Sequence, residues 1–159
     1  MTGTVTPETI QEMLRDFGTV EQVRKNRIRV STVPGRLHDA IMTSQAVLFV
    51  DRLITISAVD NGETFELLYH LIGPHRIIIT FVLNIPRNSP VTPTVSDILP
   101  PAGIYERQIH DLFGITFGGH PGLKKLMLNE DWPENEHPLR KDWKPGPDTF
   151  YGGIKVERT

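Results

Sequence analysis

The stretch LFVDRLITISAVDNGETFELLYHLIGPHRIIITFVL, residues 48–83, decides the fold. It divides into three β-branched and aromatic runs, 48–59, 64–71 and 76–83, separated by Asp60-Asn61-Gly62 and Gly73-Pro74-His75. Asn-Gly is a strong hairpin signal because both residues tolerate positive φ, so the runs predict an antiparallel meander. In the middle run Phe65, Leu67, Tyr69 and Leu71 alternate with Glu66, Leu68 and His70, leaving one face clearly apolar. Ile77-Ile78-Ile79 is apolar on both faces, which places the third strand at the buried centre of the sheet.

Toward the N-terminus, Thr6-Pro7-Glu8 supplies an N-cap, a first-turn proline and an acid at a helix start. Ile10, Met13, Leu14 and Phe17 follow at helical spacing, and Gly18 is placed to end the helix in a left-handed conformation. Residues 20–24 and 27–33 read as a hairpin turning at Lys25-Asn26, and their basic side chains point to a sheet edge. Pro34, Leu37, Ala40 and Ile41 give a second helix ending near Ala46. The order is α-β-β-α-β-β-β, an α+β two-layer sandwich with helices on one sheet face.

Toward the C-terminus the grammar changes, since ten of the 13 prolines lie between Pro86 and Pro147. Pro86, Pro90 and Pro93 predict an extended crossing loop over residues 84–96. One more helix opens at Pro100-Pro101, buries Tyr105, Ile109 and Leu112, and stops at Gly114. Residues 1–114 thus form a globular α+β domain. Residues 115–159 form a long Pro-rich extension, loop-rich apart from one helical turn around 123–128, of a length that compact domains carry for a function such as docking on a partner.

Composition removes whole classes of chemistry. With no cysteine, the chain has no disulfide framework, thiol nucleophile, Cys-ligated zinc or iron–sulfur cluster of its own. Seventeen basic against 19 acidic residues, a net charge of −2, lack the excess of an autonomous nucleic-acid binder. No run approaches the ~18 apolar residues of a membrane span. The opening MTGTVTPETI has no signal-peptide pattern, so a soluble, cytoplasmic chain is expected.

Three constellations carry candidate chemistry. In the helix at 106–113, Glu106 and His110 are four apart, as are Arg107 and Asp111, so each pair can meet on one face as an ordinary surface ion pair. His120 and His137, with Asp131 and Glu134, allow a His/carboxylate metal site to be drawn, and a small metal-dependent enzyme is the alternative it would serve. Loop histidines more often bond backbone carbonyls. His137-Pro138-Leu139-Arg140-Lys141-Asp142, between Trp132 and Trp143, combines a stiff backbone, cationic donors and large aromatic area, the ingredients of a protein interface. The acids Glu130, Asp131, Glu134, Glu136 and Asp142 oppose a nucleic-acid groove. Gly118-Gly119 lacks the following Gly-Lys-Ser/Thr of a phosphate loop, and no serine elbow is present.

The blocks 106–115 (ERQIHDLFGI), 120–127 (HPGLKKLM) and 137–142 (HPLRKD) resemble the signature of the thirty-kilodalton subunit family of respiratory complex I, the C subunit of NADH-quinone oxidoreductase. The resemblance covers roughly residues 45–145. One departure is Gln108, where the family usually has a second Glu. Residues 128–134 (LNEDWPE) look closer to the version in membrane-bound [NiFe] hydrogenases and formate hydrogenlyase-type complexes.

The resemblance implies a subunit with no catalytic residue, cofactor or metal of its own. Its partners would be the large hydrogenase-like subunit, of the forty-nine-kilodalton type, and the small iron–sulfur subunit, with membrane contact only through the complex and no nucleic acid. It implies a partner interface at Glu106, Arg107, Asp111, His120, Trp132, His137, Arg140, Lys141, Asp142 and Trp143. A stand-alone binding module is a further alternative.

Overall fold

The computed structural model describes residues 5–146. Helix α1 (Pro7–Leu14) is capped by Thr6, whose hydroxyl accepts the Thr9 N–H at 3.3 Å. It tightens into a 3₁₀ turn over Arg15–Phe17 and leads to strand β1 (Gly18–Arg24). Gly18 does not close the helix in a left-handed conformation: its φ of 164° is extended. Glycine is required there because a Cβ would lie 2.0 Å from the carbonyl oxygen of Ser31 on the next strand.

Strand β2 (Arg27–Thr32) and helix α2 (Pro34–Leu48) follow, with α2 running two residues beyond Ala46 before Phe49 turns left-handed. The meander is β3 (Arg52–Asp60), β4 (Thr64–Ile72) and β5 (Ile78–Pro86), and Gly62 takes a φ of 92° in the first turn. The sheet order is β1-β2-β5-β4-β3, so β5 is central as its apolar triplet requires, and β2 pairs with it in parallel. Only β1 of the basic hairpin lies at an edge.

One sheet face builds the core. Leu67 opposes Leu83, Tyr69 opposes Phe81, and Leu71 opposes Ile79 across β4 and β5. On this layer pack Ile10 and Leu14 of α1, Leu37 and Ile41 of α2, and Ile109 and Phe113 of the third helix. Burying each such side chain stabilises by about 1.5–3 kcal/mol.

The crossing loop expected at 84–96 is more ordered than its prolines suggest. After β5, strand β6 (Val91–Pro93) pairs in parallel with β7 (Thr116–Gly118), on either side of helix α3 (Ala102–Phe113). Tyr105 and Leu112 are only partly buried, while Ala102, Glu106 and Ile109 form the fully buried line of α3. The helical turn expected around 123–128 is absent: residues 126–128 form bends held by hydrogen bonds to α3. Residues 147–159 of the extension lie outside the described part.

Candidate functional site

A helix ends with main-chain carbonyls that have no partner in the next turn. In α3 they are satisfied by the chain itself. Gly114, left-handed at φ 74°, donates its N–H to His110 O at 2.9 Å. The next three oxygens are taken by the block at 137–140. His137 Nδ1 donates to Asp111 O at 2.9 Å, Leu139 N to Leu112 O at 3.1 Å, and Arg140 Nε to Phe113 O at 2.7 Å. The block is a C-cap supplied from a distance, and the Arg140 charge suits the negative end of the helix dipole. Gly114 is needed because a Cβ there would lie 2.4 Å from His137 Nε2.

The i,i+4 pairs do not meet as their spacing predicts. Arg107 donates to Lys124 O at 3.1 Å and to Lys125 O at 2.9 Å. Asp111, only 4% exposed, accepts the N–H groups of Leu126, Met127 and Leu128 on Oδ2, at 2.6, 2.9 and 3.3 Å. The two side chains therefore clamp one loop, the cation on its carbonyls and the anion on its amides. Glu106 turns inward instead, fully buried, accepting the Thr94 hydroxyl and the Val95 N–H. Burial pushes its carboxyl up, and those two bonds and His120 offset part of that. His120 sits 3.9 Å away, accepting the Gly122 N–H on Nδ1 and donating from Nε2 to Gly103 O. His110 donates from Nδ1 to Ile115 O at 2.8 Å.

A third tie joins the segment to the sheet. Asp60, 3% exposed, accepts Gly62 N–H at 2.8 Å, Lys141 N–H at 3.0 Å and Arg87 Nε at 3.2 Å. Burial alone would raise this carboxyl, but the two amides and Arg87 together hold it below the usual range. Arg87 also bonds Asp142, whose carboxyl it lowers. The guanidinium of Arg140 lies 5.3 Å and that of Arg87 5.8 Å from the centre of the Phe65 ring, and Phe113 packs edge-on to the same ring. Trp132 and Trp143 pack at 5.9 Å and both indole N–H groups bond Glu136, through its carbonyl and its carboxylate respectively.

The structure thus gathers Arg107, Asp111, Trp132, His137, Arg140 and Trp143 around α3 and its C-terminal end, and ties Lys141 and Asp142 to Asp60 and Arg87 of the sheet. Glu106 and His120 are set apart in a buried lock on the 94–96 turn. Among the described residues no group of three His, Asp or Glu side chains converges to hold a metal. His120 uses both ring nitrogens on backbone groups, and His137 holds the Asp111 carbonyl through Nδ1. Asp60 and Arg87 were not legible as site residues: Asp60 reads as the first residue of a turn, and only the fold shows that turn facing Lys141.

An α+β sandwich whose third helix is capped and clamped by its own downstream segment defines the class. Residues 19–149 match the family model described as respiratory-chain NADH dehydrogenase, 30 Kd subunit, and the chain belongs to that family. The C subunit of the NADH-quinone oxidoreductase of Moorella thermoacetica is 33% identical over 139 residues, covering 85% of this chain and 93% of that one. The corresponding NADH-quinone oxidoreductase subunit of Herpetosiphon aurantiacus is 35% identical over 98 residues, 61% of this chain and 56% of that protein, so the chain spans about half the length of several curated relatives. Among solved structures, a chain of the membrane-bound sulfane sulfur reductase, an archaeal respiratory membrane complex, superposes with a TM-score of 0.75 at 26% identity, over 86% of this chain and 84% of that one. The trypsin-resistant fragment of Nqo5 gives 0.61 at 25% identity, over 73% and 97%.

Proposed function

We propose that this chain is a non-redox structural and assembly subunit in the peripheral arm of a complex I-type dehydrogenase, taking electrons from NADH or another donor, or of a related membrane-bound hydrogenase. Its 115–146 segment docks on the large hydrogenase-like subunit, beside the small iron–sulfur subunit, on the cytoplasmic side of a membrane it touches only through the complex. No helix among the described residues is long and apolar enough to cross one.

The observation that carries this is how the signature residues are used. Glu106, Arg107, Asp111, His120, His137 and Arg140 all bond within the chain, Glu106 on the 94–96 turn and the other five on contacts that set the segment's shape. Among the side chains that shape turns outward are three large apolar ones: Leu126, Met127 and Leu139 are 39, 58 and 52% exposed, on two loops pinned to neighbouring residues of α3. Exposed apolar side chains on a preformed scaffold suit a protein interface, because little entropy remains to be lost on docking.

Co-purification with the tagged full chain from native membranes tests it. Paired Met127→Asp and Leu139→Asp substitutions should cut recovery of the large subunit by about tenfold or more at an unchanged circular dichroism spectrum. Full recovery of an intact complex that has lost turnover would instead assign this surface to catalysis.

A further inference from the structure

Three loops meet at one end of the sheet. The β1–β2 turn adjoins β5, where Asn26 O accepts the Ile78 N–H at 2.9 Å. The link from α2 to β3 adjoins the β4–β5 turn, since a Cβ on Gly73 would lie 2.8 Å from Phe49 O. Across the strands between them the last row of partners runs Arg27, Ile78, Ile72, Arg52. The alternation that sends Ile28, Ile79 and Leu71 into the core sends this row to the sheet face without helices, where Ile72 and Ile78 stay half-buried.

This end is basic on a chain whose net charge is −2. Arg24, Lys25, Arg27, Arg52 and Arg76 are all exposed, and none pairs with a carboxylate among the described residues. Asp51 is the one acid on the three loops. On the next row, burial and after it the Arg27 charge keep the His70 ring neutral to lower pH than usual.

Backbone strain falls at the same place. Phe49 and Arg76, at φ 55° and 59°, are the two left-handed non-glycine residues among those described. For a bulky side chain this is an outlier that glycine, the usual residue just past a helix, would avoid. Burial does not offset it, because Phe49 is 63% exposed. A ring kept in a costly conformation and left in water is suited to a contact outside the chain.

We infer that this end of the sheet is a second interaction surface, which seats an acidic segment of a partner protein. Its carboxylates meet Arg27, Arg52 and Arg76, and an apolar side chain lies against Phe49 and the Ile72–Ile78 row. Four of the five cations are arginines, whose planar fork takes a carboxylate through two parallel bonds. The apolar centre suits a peptide better than a nucleic-acid backbone, which needs a continuous basic track. An anionic bilayer is reached through the field of the whole protein, and the negative net charge opposes that approach. The length of β3, about 25 Å, separates Arg52 from the tie of Lys141 to Asp60, so this surface does not depend on the docking proposed above.

The test titrates the isotope-labelled full chain with an acetylated, amidated peptide alternating Glu and Leu, and with its Gln and Leu counterpart. Saturable shifts of the Ile72, Arg76 and Ile78 amides are expected with the Glu peptide alone, weakening as salt is raised. Arg27→Gln, Arg52→Gln and Arg76→Gln combined should weaken binding about tenfold, as for three exposed pairs, with the rest of the spectrum unchanged. Phe49→Gly removes the left-handed strain, so it should leave the melting temperature unchanged or raised and still weaken binding about threefold. Equal binding of the two peptides, no binding of either, or full binding by both variants would overturn the inference. Phosphatidylglycerol vesicles that bind the chain more tightly than the peptide does, and lose it in the same variants, would overturn it in favour of a membrane.

Discussion

Asp111 and His137 are joined through the main chain: the imidazole Nδ1 donates to the carbonyl oxygen of Asp111 at 2.9 Å. The carboxylate of the same residue gathers the amides of 126–128. One residue of α3 thus fixes both downstream loops, through two different groups.

Removing the side-chain half of that arrangement tests its strength. Asp111→Ala leaves three loop amides without an acceptor, and charge-assisted bonds to buried groups are each worth about 1.5–3 kcal/mol. A loss of about 2–4 kcal/mol in urea unfolding is expected, with new protease cleavage within 123–130. An unchanged cleavage pattern would show that Arg107 alone holds the loop.

The glycines give a paired prediction. Gly114→Ala meets positive φ and a Cβ 2.4 Å from His137 Nε2, whereas Gly35 in the first turn of α2 has nothing within 4 Å. Gly114→Ala should cost more than about 2 kcal/mol through strain and overpacking. Gly35→Ala should stabilise by about 0.4–1 kcal/mol. Thermal melts of both variants check the contrast, and equal shifts would contradict it.

Acid should loosen the segment before the domain. The His137 pKa is lowered, chiefly by burial, so between its folded value and the ordinary value near 6.5 the unfolded chain binds the extra proton. Stability from this group is therefore complete above about pH 6.5 and is lost as pH falls through the folded pKa. Both tryptophans of the chain, Trp132 and Trp143, lie in the segment and report on it. Their fluorescence should change at a higher pH than far-ultraviolet circular dichroism, and His137→Gln should remove the separation. Coincident transitions in the wild type would refute this.

Tyr69 predicts a sign. Its hydroxyl is fully buried and finds no partner among the described residues, while burial and the nearby Glu106 both oppose its ionisation. Tyr69→Phe should be neutral or stabilising by up to about 1 kcal/mol. Tyr105→Phe, which loses a 3.0 Å bond to Ile54 O, should not be. Chemical denaturation of the two variants distinguishes them, and a marked loss for Tyr69→Phe would point to a bond made through buried water.

Much of this fold is written locally. Asn61-Gly62, the alternation through Phe65 to Leu71 and the isoleucine triplet specify the meander through contacts a few residues apart. The parallel pairing of β2 with β5 and of β6 with β7 has no such signal, because its partners are brought together only by the completed core. The site divides in the same way. The Trp132 and 137–142 stretch was legible by composition as one cluster, yet the helical spacing of Arg107 and Asp111 pointed to each other. Both reach a loop 15–18 residues away instead, because that loop offers carbonyls and amides that no other group satisfies.

The distant cap on α3 also sets an order of events during synthesis. The residues that close the helix follow it by 26 and 27 positions, so the emerging helix waits with its last carbonyls open to water. Domains acquire structure from the N-terminus as they are made, and here the sheet can form while the end of α3 is still incomplete. A nascent chain halted before residue 137 would hold the strands and helices of its core while the last carbonyls of α3 still lacked the groups that close them.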